Sequence, residues 1–209
     1  MLNKKRVMVL AAVAGLVLAS SASAAGSYLG GDLGWGTTHQ SFSKANINSF
    51  TAAVNATGYT SRTSNNGLAG RIFAGFDVNQ YFALESGYTK FSNSTPQVSA
   101  NSQAINRDIK TYAVDILGKV TLPLQDSLSL FAKLGGAYLN ETNLGAVTGT
   151  VVTRKTQSKF LPSFGAGVGY DISKSLTTDV SWTRIQATSN TNYLQSTDFV
   201  GAGLTYHFG

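Results

Sequence analysis

The chain has 209 residues, 12% of them charged, with 22 glycines, three prolines and no cysteine. That length suits one domain, and the lack of cysteine excludes disulfide staples and thiolate metal sites. The formal charge of +6 includes Lys4, Lys5 and Arg6; setting these aside leaves 13 basic against 10 acidic residues, and with them goes the main support for a nucleic-acid partner.

Residues 1–24 read as an export signal. Lys4, Lys5 and Arg6 form a positive start, and residues 7–19 form an apolar run too short to span a bilayer as a helix. Ala22, Ser23 and Ala24 make a small-residue cleavage site, with Ala25 a near-equivalent alternative. Residues 25–209 then form a single domain. No later apolar run reaches the length of a membrane helix.

Eight segments of that domain alternate in period two. The first, 28–35, turns Leu29, Gly31, Leu33 and Trp35 to one face; the second, 68–76, turns Leu68, Gly70, Ile72, Ala74 and Phe76. Segment 81–91 presents Phe82, Leu84, Ser86 and Tyr88, and segment 109–122 presents Tyr112, Val114, Ile116, Val120 and Leu122. Segment 128–139 presents Leu128, Leu130, Ala132, Leu134 and Tyr138. Segment 159–170 presents Phe160, Pro162, Phe164, Ala166, Val168 and Tyr170. Segment 176–183 presents Leu176, Thr178, Val180 and Trp182, and segment 199–208 presents Val200, Ala202, Leu204, Tyr206 and Phe208. Pro162 would cost a ladder hydrogen bond within a sheet, so it belongs near a rim.

A bilayer offers no water to unpaired backbone groups, so a sheet can cross it only when closed. The pattern therefore predicts an all-β fold: an eight-stranded antiparallel up-and-down transmembrane β-barrel with its apolar face toward lipid. The segments at 77–80, 123–127 and 171–175 are short and rich in turn residues. The connections at 36–67, 92–108, 140–158 and 184–198 are long and polar, and are expected as loops outside the cell, with both termini in the periplasm. Trp35, Tyr88, Tyr138 and Trp182 lie outward near segment ends, where amphipathic rings form an aromatic girdle. The last strand ends in the aromatics Tyr206 and Phe208, like the closing strand of a bacterial outer-membrane barrel, where it serves as the assembly signal. Gly209 follows, where the usual pattern stops at the aromatic.

The ordered motifs resemble a known family. The Tyr28-Leu-Gly-Gly-Asp-Leu-Gly-Trp35 opening is similar to the first strand of the OmpA-type transmembrane domain. Ala74-Gly-Phe-Asp-Val-Asn79 and Leu84-Glu-Ser-Gly-Tyr88 resemble its second and third strands. Leu130-Phe-Ala-Lys-Leu-Gly-Gly136 resembles its fifth, and Phe164-Gly-Ala-Gly-Val-Gly-Tyr170 its sixth. The resemblance covers nearly all of residues 25–209 and does not reach a peptidoglycan-binding domain; barrel-only relatives are grouped with opacity-type surface antigens. It implies residence in the outer membrane of a Gram-negative cell, with outer-membrane lipids, lipopolysaccharide and the barrel-assembly machinery as partners. A host surface ligand for the loops is a further expectation.

Inward positions carry Asp32, Arg71, Glu85, Asp115, Lys119, Lys133 and Asp179. Glu85, Lys119 and Lys133 fall where the family has interior charges, whereas Asp32 replaces a usual lysine and Asp179 a usual arginine. Two readings stay open. One is a gate whose ion pairs swap to open a narrow pore for ions or small solutes. The other, favoured because eight strands leave room only for side chains, is a static polar plug.

Enzymatic chemistry has little footing. Lipid A-editing barrels need a histidine to activate a hydroxyl nucleophile, usually with an orienting acid. His39, in the first long connection beside Thr37, Thr38, Ser41 and Ser43, has no acid near it in sequence. His207 lies at the periplasmic end, and two histidines so separated make no metal site. No catalytic, metal or cofactor residue is expected. The Arg154–Lys155 pair with Lys159 is a basic cluster that could touch lipopolysaccharide or glycans, though such clusters are more often solvated loop faces.

Overall fold

The computed structural model describes residues 26–39, 59–62, 65–95, 97–100, 103–125, 127–147, 150–188 and 195–208, together with Asn48, Ala52 and Asn55. The export-signal segment lies outside the described residues. The described residues form ten strands: β1 (Ser27–Thr38), β2 (Thr60–Arg62), β3 (Asn66–Asn79), β4 (Phe82–Lys90), β5 (Gln97–Ala100), β6 (Gln103–Pro123), β7 (Leu128–Val147), β8 (Thr150–Ser173), β9 (Leu176–Ile185) and β10 (Thr197–Phe208).

Eight of these form the barrel. Strands β1, β3, β4, β6, β7, β8, β9 and β10 pair antiparallel with their neighbours in chain order, and β1 pairs with β10 from Ser27↔Phe208 to Thr38↔Thr197 to close the sheet. Closure leaves no edge in the hydrocarbon region, the condition for a sheet to cross a bilayer. The short β2 and β5 add to β6 beyond one rim.

The tight turns owe their geometry to side chains. The Asn79 carboxamide oxygen accepts from the backbone N–H of Tyr81 (2.8 Å) and Phe82 (3.0 Å), an Asx turn that joins β3 to β4. Pro162 sits where the β8–β9 ladder runs out. Its carbonyl accepts from Gln186 N at 2.9 Å. The N–H of the same residue would point to the same side, so the missing donor weakens only the end of that ladder and not the β7–β8 pairing.

The long connections differ from expectation. The described residues of 140–158 are strand rather than loop: β7 and β8 stay paired as far as Val147↔Thr150. Much of 92–108 is also strand, as β5 pairs with the start of β6 from Gln97↔Asn106 to Ala100↔Gln103. Likewise 36–67 contributes the end of β1, all of β2 and the start of β3, and 184–198 the ends of β9 and β10. The physical reason is that alternation marks a strand only where one face meets lipid. Beyond the membrane both faces can be polar, and pairs such as Thr142–Thr156 (Oγ1···Oγ1 3.2 Å) and the hydrogen-bonded Asn140–Ser158 hold the strands in register.

The barrel is apolar outside, as a lipid-immersed protein must be. Leu33 and Leu134 are 69% and 70% exposed, and Ile72, Leu84, Ile116, Leu130, Val180 and Leu204 are exposed too. Ala74 and Ser86 share the outward parity but are buried, being small residues paired with each other across β3 and β4. On β7 the apolar outward positions run from Leu128 to Tyr138. At about 3.4 Å per residue this is roughly 34 Å of strand, and a tilt of about 40° reduces it to about 26 Å, matching the apolar band of about 25 Å on outer-membrane barrels.

Candidate functional site

The interior is layered. At the end bearing the tight turns, Tyr28, Phe73 and Ala83 form a small buried cluster. Glycines make room for these rings: a Cβ on Gly75 would meet the Tyr28 ring at 2.1 Å. Above lie the charges. Toward the other rim, Ala69, Phe91, Ala113, Ala137, Leu139, Leu161, Ile185 and Phe199 form an apolar core inside the barrel. The expected polar interior therefore holds for only part of its height. The inward leucines alternate with outward aromatics such as Tyr138 and Phe160, producing continuous apolar runs in which the inward set is hidden.

Arg71 is the hub of the charged layer. Its Nη2 lies 2.7 Å from Glu85 Oε1 and 2.8 Å from Asp115 Oδ1, and its Nη1 lies 3.9 Å from Asp32 Oδ2. Lys133 Nζ donates to the same Glu85 Oε1 at 2.9 Å, and the Tyr28 hydroxyl donates to Glu85 Oε2 at 3.3 Å. Glu85 is 0% exposed. A charge so placed is tolerated only when paired and hydrogen-bonded. Gly87 makes the crossing possible, since a Cβ there would lie 2.6 Å from Arg71 Nη2.

Of the seven expected lumen charges, five meet in this cluster: Asp32, Arg71, Glu85, Asp115 and Lys133. Lys119 and Asp179 make no ion pair in the described structure. Lys119 is opposite Lys133 in the β6–β7 register, and its ammonium lies over the rings of Phe131 (4.7 Å) and Tyr28 (5.6 Å). Asp32 and Asp179 flank Gly203 in register, and Asp32 Oδ1 has no hydrogen-bond partner.

The two rims differ. At the hairpin end, the last apolar outward positions carry Trp35, Leu68, Tyr88, Tyr112, Tyr138, Phe160 and Trp182. The next outward positions are Thr37, Asn66, Lys90, Lys110, Asn140, Ser158 and Arg184. The four expected girdle residues lie in the first row, and Tyr112 and Phe160 complete its sense. At the opposite rim Phe76, Tyr81, Phe82, Tyr170, Tyr206 and Phe208 are exposed. This second aromatic row was missed, although the same outward parity at strand ends marks it. The Tyr206 and Phe208 rings pack edge to face, 5.1 Å apart.

His39 has an acid neighbour after all. Its Nδ1 lies 3.7 Å from Asp198 Oδ2 and 3.0 Å from the Ser196 carbonyl oxygen. Asp198 also accepts from Trp182 Nε1 (3.0 Å) and Arg184 Nη1 (3.4 Å). The acid escaped notice because His39 follows β1 and Asp198 opens β10, which meet only on closure. Among the described residues no hydroxyl contacts the His39 ring, while Ser41 and Ser43 lie outside them. His207 sits at the far mouth, 3.5 Å from Asp77 through Nδ1 and 3.4 Å from Thr177 Oγ1 through Nε2. That hydroxyl donates instead to Asp171 at 2.6 Å, so it is not presented to the imidazole as a nucleophile. The side chain of Arg154 lies outside the described residues, and Lys155 and Lys159 are on β8 rather than in a loop.

A closed antiparallel sheet, apolar outside and filled within, defines an integral β-barrel of the bacterial outer membrane. The chain belongs to the OmpA-like transmembrane domain family, whose model matches residues 22–209. It is 30% identical over 218 residues to an uncharacterized protein of Coxiella burnetii, covering 90% of this chain and 88% of that one. It is 25% identical to Outer membrane protein A of Salmonella typhi, covering 100% of this chain and 56% of that protein. The chain thus spans about half the length of its Outer membrane protein A relatives. Neisserial surface protein A has a similar fold, with a TM-score of 0.56, 16% identity and coverage of 88% and 98%.

Proposed function

We propose that this is a non-enzymatic barrel whose work is done at the cell surface, with the β6–β8 hairpins as its contact region and the transmembrane part as a closed anchor. The observation that carries this reading is the contrast along β7. Below Tyr138 the strand encloses a filled interior, and above it the β7–β8 ladder continues to Val147↔Thr150, about 30 Å of further strand. A projecting polar hairpin on a closed base suits adhesion or contact with a host surface better than transport. In this reading the two aromatic rows are girdles at headgroup depth, Tyr206 and Phe208 present the strand recognised by the barrel-assembly machinery, and residues 1–24 are removed on export.

The test replaces residues 142–156 by a two-residue Asn-Gly turn. Cells making this variant should carry a folded, heat-modifiable barrel yet lose attachment to host cells or matrix. Attachment equal to wild type would overturn the reading.

A narrow pore is the second reading, favoured by the Arg71–Glu85–Lys133 cluster, whose pairs could exchange. The apolar layer of Leu139, Leu161, Ile185 and Phe199 weighs against it, because ions do not cross a dry constriction. Planar-bilayer recordings separate the two: a large, steady wild-type conductance that vanishes in Glu85→Ala would favour the pore. A lipid A-editing activity would need a hydroxyl beside His39, and mass analysis of lipid A from cells with and without the protein tests it.

A further inference from the structure

The charged layer of the lumen does not balance. Among the described residues it holds four carboxylates, Asp32, Glu85, Asp115 and Asp179, against three cations, Arg71, Lys119 and Lys133. Arg71 is committed to Glu85 and Asp115, and Lys133 to Glu85. Lys119 lies over the rings of Phe131 and Tyr28 instead of on a carboxylate. The excess negative charge therefore falls on Asp32 and Asp179. Asp32 keeps only a 3.9 Å approach to Arg71 through Oδ2, and Asp179 makes no ion pair or hydrogen bond in the described structure.

These two side chains converge. Asp32 on β1 and Asp179 on β9 are both in register with Gly203 on β10. Two strand spacings set their backbones about 10 Å apart, inward side chains lean toward the barrel axis, and Gly203 has no side chain to separate them. Asp32 Oδ1 occupies the place that a Cβ on Gly203 would take, so this oxygen points across β10 toward β9. It has no hydrogen-bond partner, in a residue only 3% exposed. At the next inward position on β9, Ser181 is 5% exposed and also lacks a hydrogen-bond partner among the described residues. An orphaned anionic oxygen and an orphaned hydroxyl, buried beside a second carboxylate, are costly unless something supplies positive charge.

We propose that Asp32, Asp179 and Ser181 bind one monovalent alkali cation inside the barrel. The chemistry selects it. The donors are all hard oxygens, with no nitrogen or sulfur for a transition metal. One positive charge is what the layer lacks, so a divalent ion would reverse the imbalance. The way in is from the mouth bearing the tight turns. Inward positions there carry Thr177, Thr205 and His207, with Asp77 and Asp171 against them, a polar approach whose acids concentrate cations. Toward the other rim the apolar layer of Leu139, Leu161 and Phe199 closes the path. The site is a dead end within a closed anchor, and it does not depend on which rim faces the cell exterior.

The test unfolds the refolded full barrel with urea in zwitterionic micelles, in sodium chloride or, at equal ionic strength, in choline chloride, whose cation is too large to enter. With a dissociation constant of about 10 mM, sodium at about 100 mM should raise the wild-type folding equilibrium constant roughly tenfold over choline. D32N and D179N should each lose this response and be at least as stable as wild type in choline, because each removes the excess charge. S181A leaves the charges in place, so it should fold and show a weaker response. D198N, at the hairpin-bearing rim, should keep the full response. An equal gain in both salts would mean screening alone. A wild type whose stability follows pH but not sodium would mean that a proton neutralises the pair. D179N less stable than wild type in choline would mean that Lys119 serves Asp179. Each of these three results would overturn the proposal.

Discussion

Arg71 and Glu85 form the tightest ion pair of the lumen, with Nη2 and Oε1 2.7 Å apart and both side chains shut off from solvent. Because the same guanidinium also serves Asp115 and Asp32, its loss leaves those two carboxylates without a cation and Glu85 with Lys133 alone. Arg71→Met should destabilise the barrel by about 3–5 kcal/mol, read by urea unfolding in micelles. Arg184→Ala, which breaks a partly exposed pair with Asp198, should cost about 1 kcal/mol or less. Equal losses would show that the lumen is wet enough to solvate its charges.

Gly203 is held small by Asp32. A Cβ there would lie 1.9 Å from Asp32 Oδ1 and 2.7 Å from the Gly31 carbonyl oxygen. Gly203→Ala should therefore cost about 1–3 kcal/mol through overpacking. Gly118→Ala, whose added methyl would find its nearest neighbour at 3.7 Å, should be near neutral. If the two variants unfold alike, the carboxylate does not lie over β10.

The lipid face makes a depth-dependent prediction. Leu134 lies near the middle of the β7 apolar band and Leu128 at its edge. Leu134→Arg should cost about 2–4 kcal/mol and Leu128→Arg about 0–1 kcal/mol in a bilayer. The reverse order would place the band elsewhere on the strand.

The apolar layer inside the barrel should behave as a protein core. Leu139 and Leu161 are both fully buried. Leu161→Ala should cost about 2–5 kcal/mol, although the position lies within a membrane-protein lumen. A cost below 1 kcal/mol would mean that water already fills this layer.

A chain without cysteine makes orientation easy to read. Cysteine placed at the exposed Thr156 on the hairpin should react with an impermeant maleimide on intact cells. Cysteine placed at Lys174, in the β8–β9 turn, should react only after lysis. The opposite pattern would invert the barrel.

Alternation in period two was enough to reveal eight strands and their apolar outward face. It works because a lipid-immersed strand must put apolar groups on every second position, a constraint that each segment meets by itself. The same test fails on residues 140–158, where strands leave the membrane and neither face need be apolar. It also fails inside the upper barrel, where Leu139 and Leu161 are inward among outward aromatics and the period dissolves.

Partnership belonged to the tertiary structure. Asp32 and Arg71 are opposite each other on β1 and β3, but Arg71 reaches Asp115 across β4 only because Gly87 leaves the way clear. His39 and Asp198 stand at opposite ends of the chain and become neighbours when β10 closes on β1. Period shows a residue which way to face; only closure and shear decide whom it meets, because they set the strand beside it and the height at which the two side chains cross.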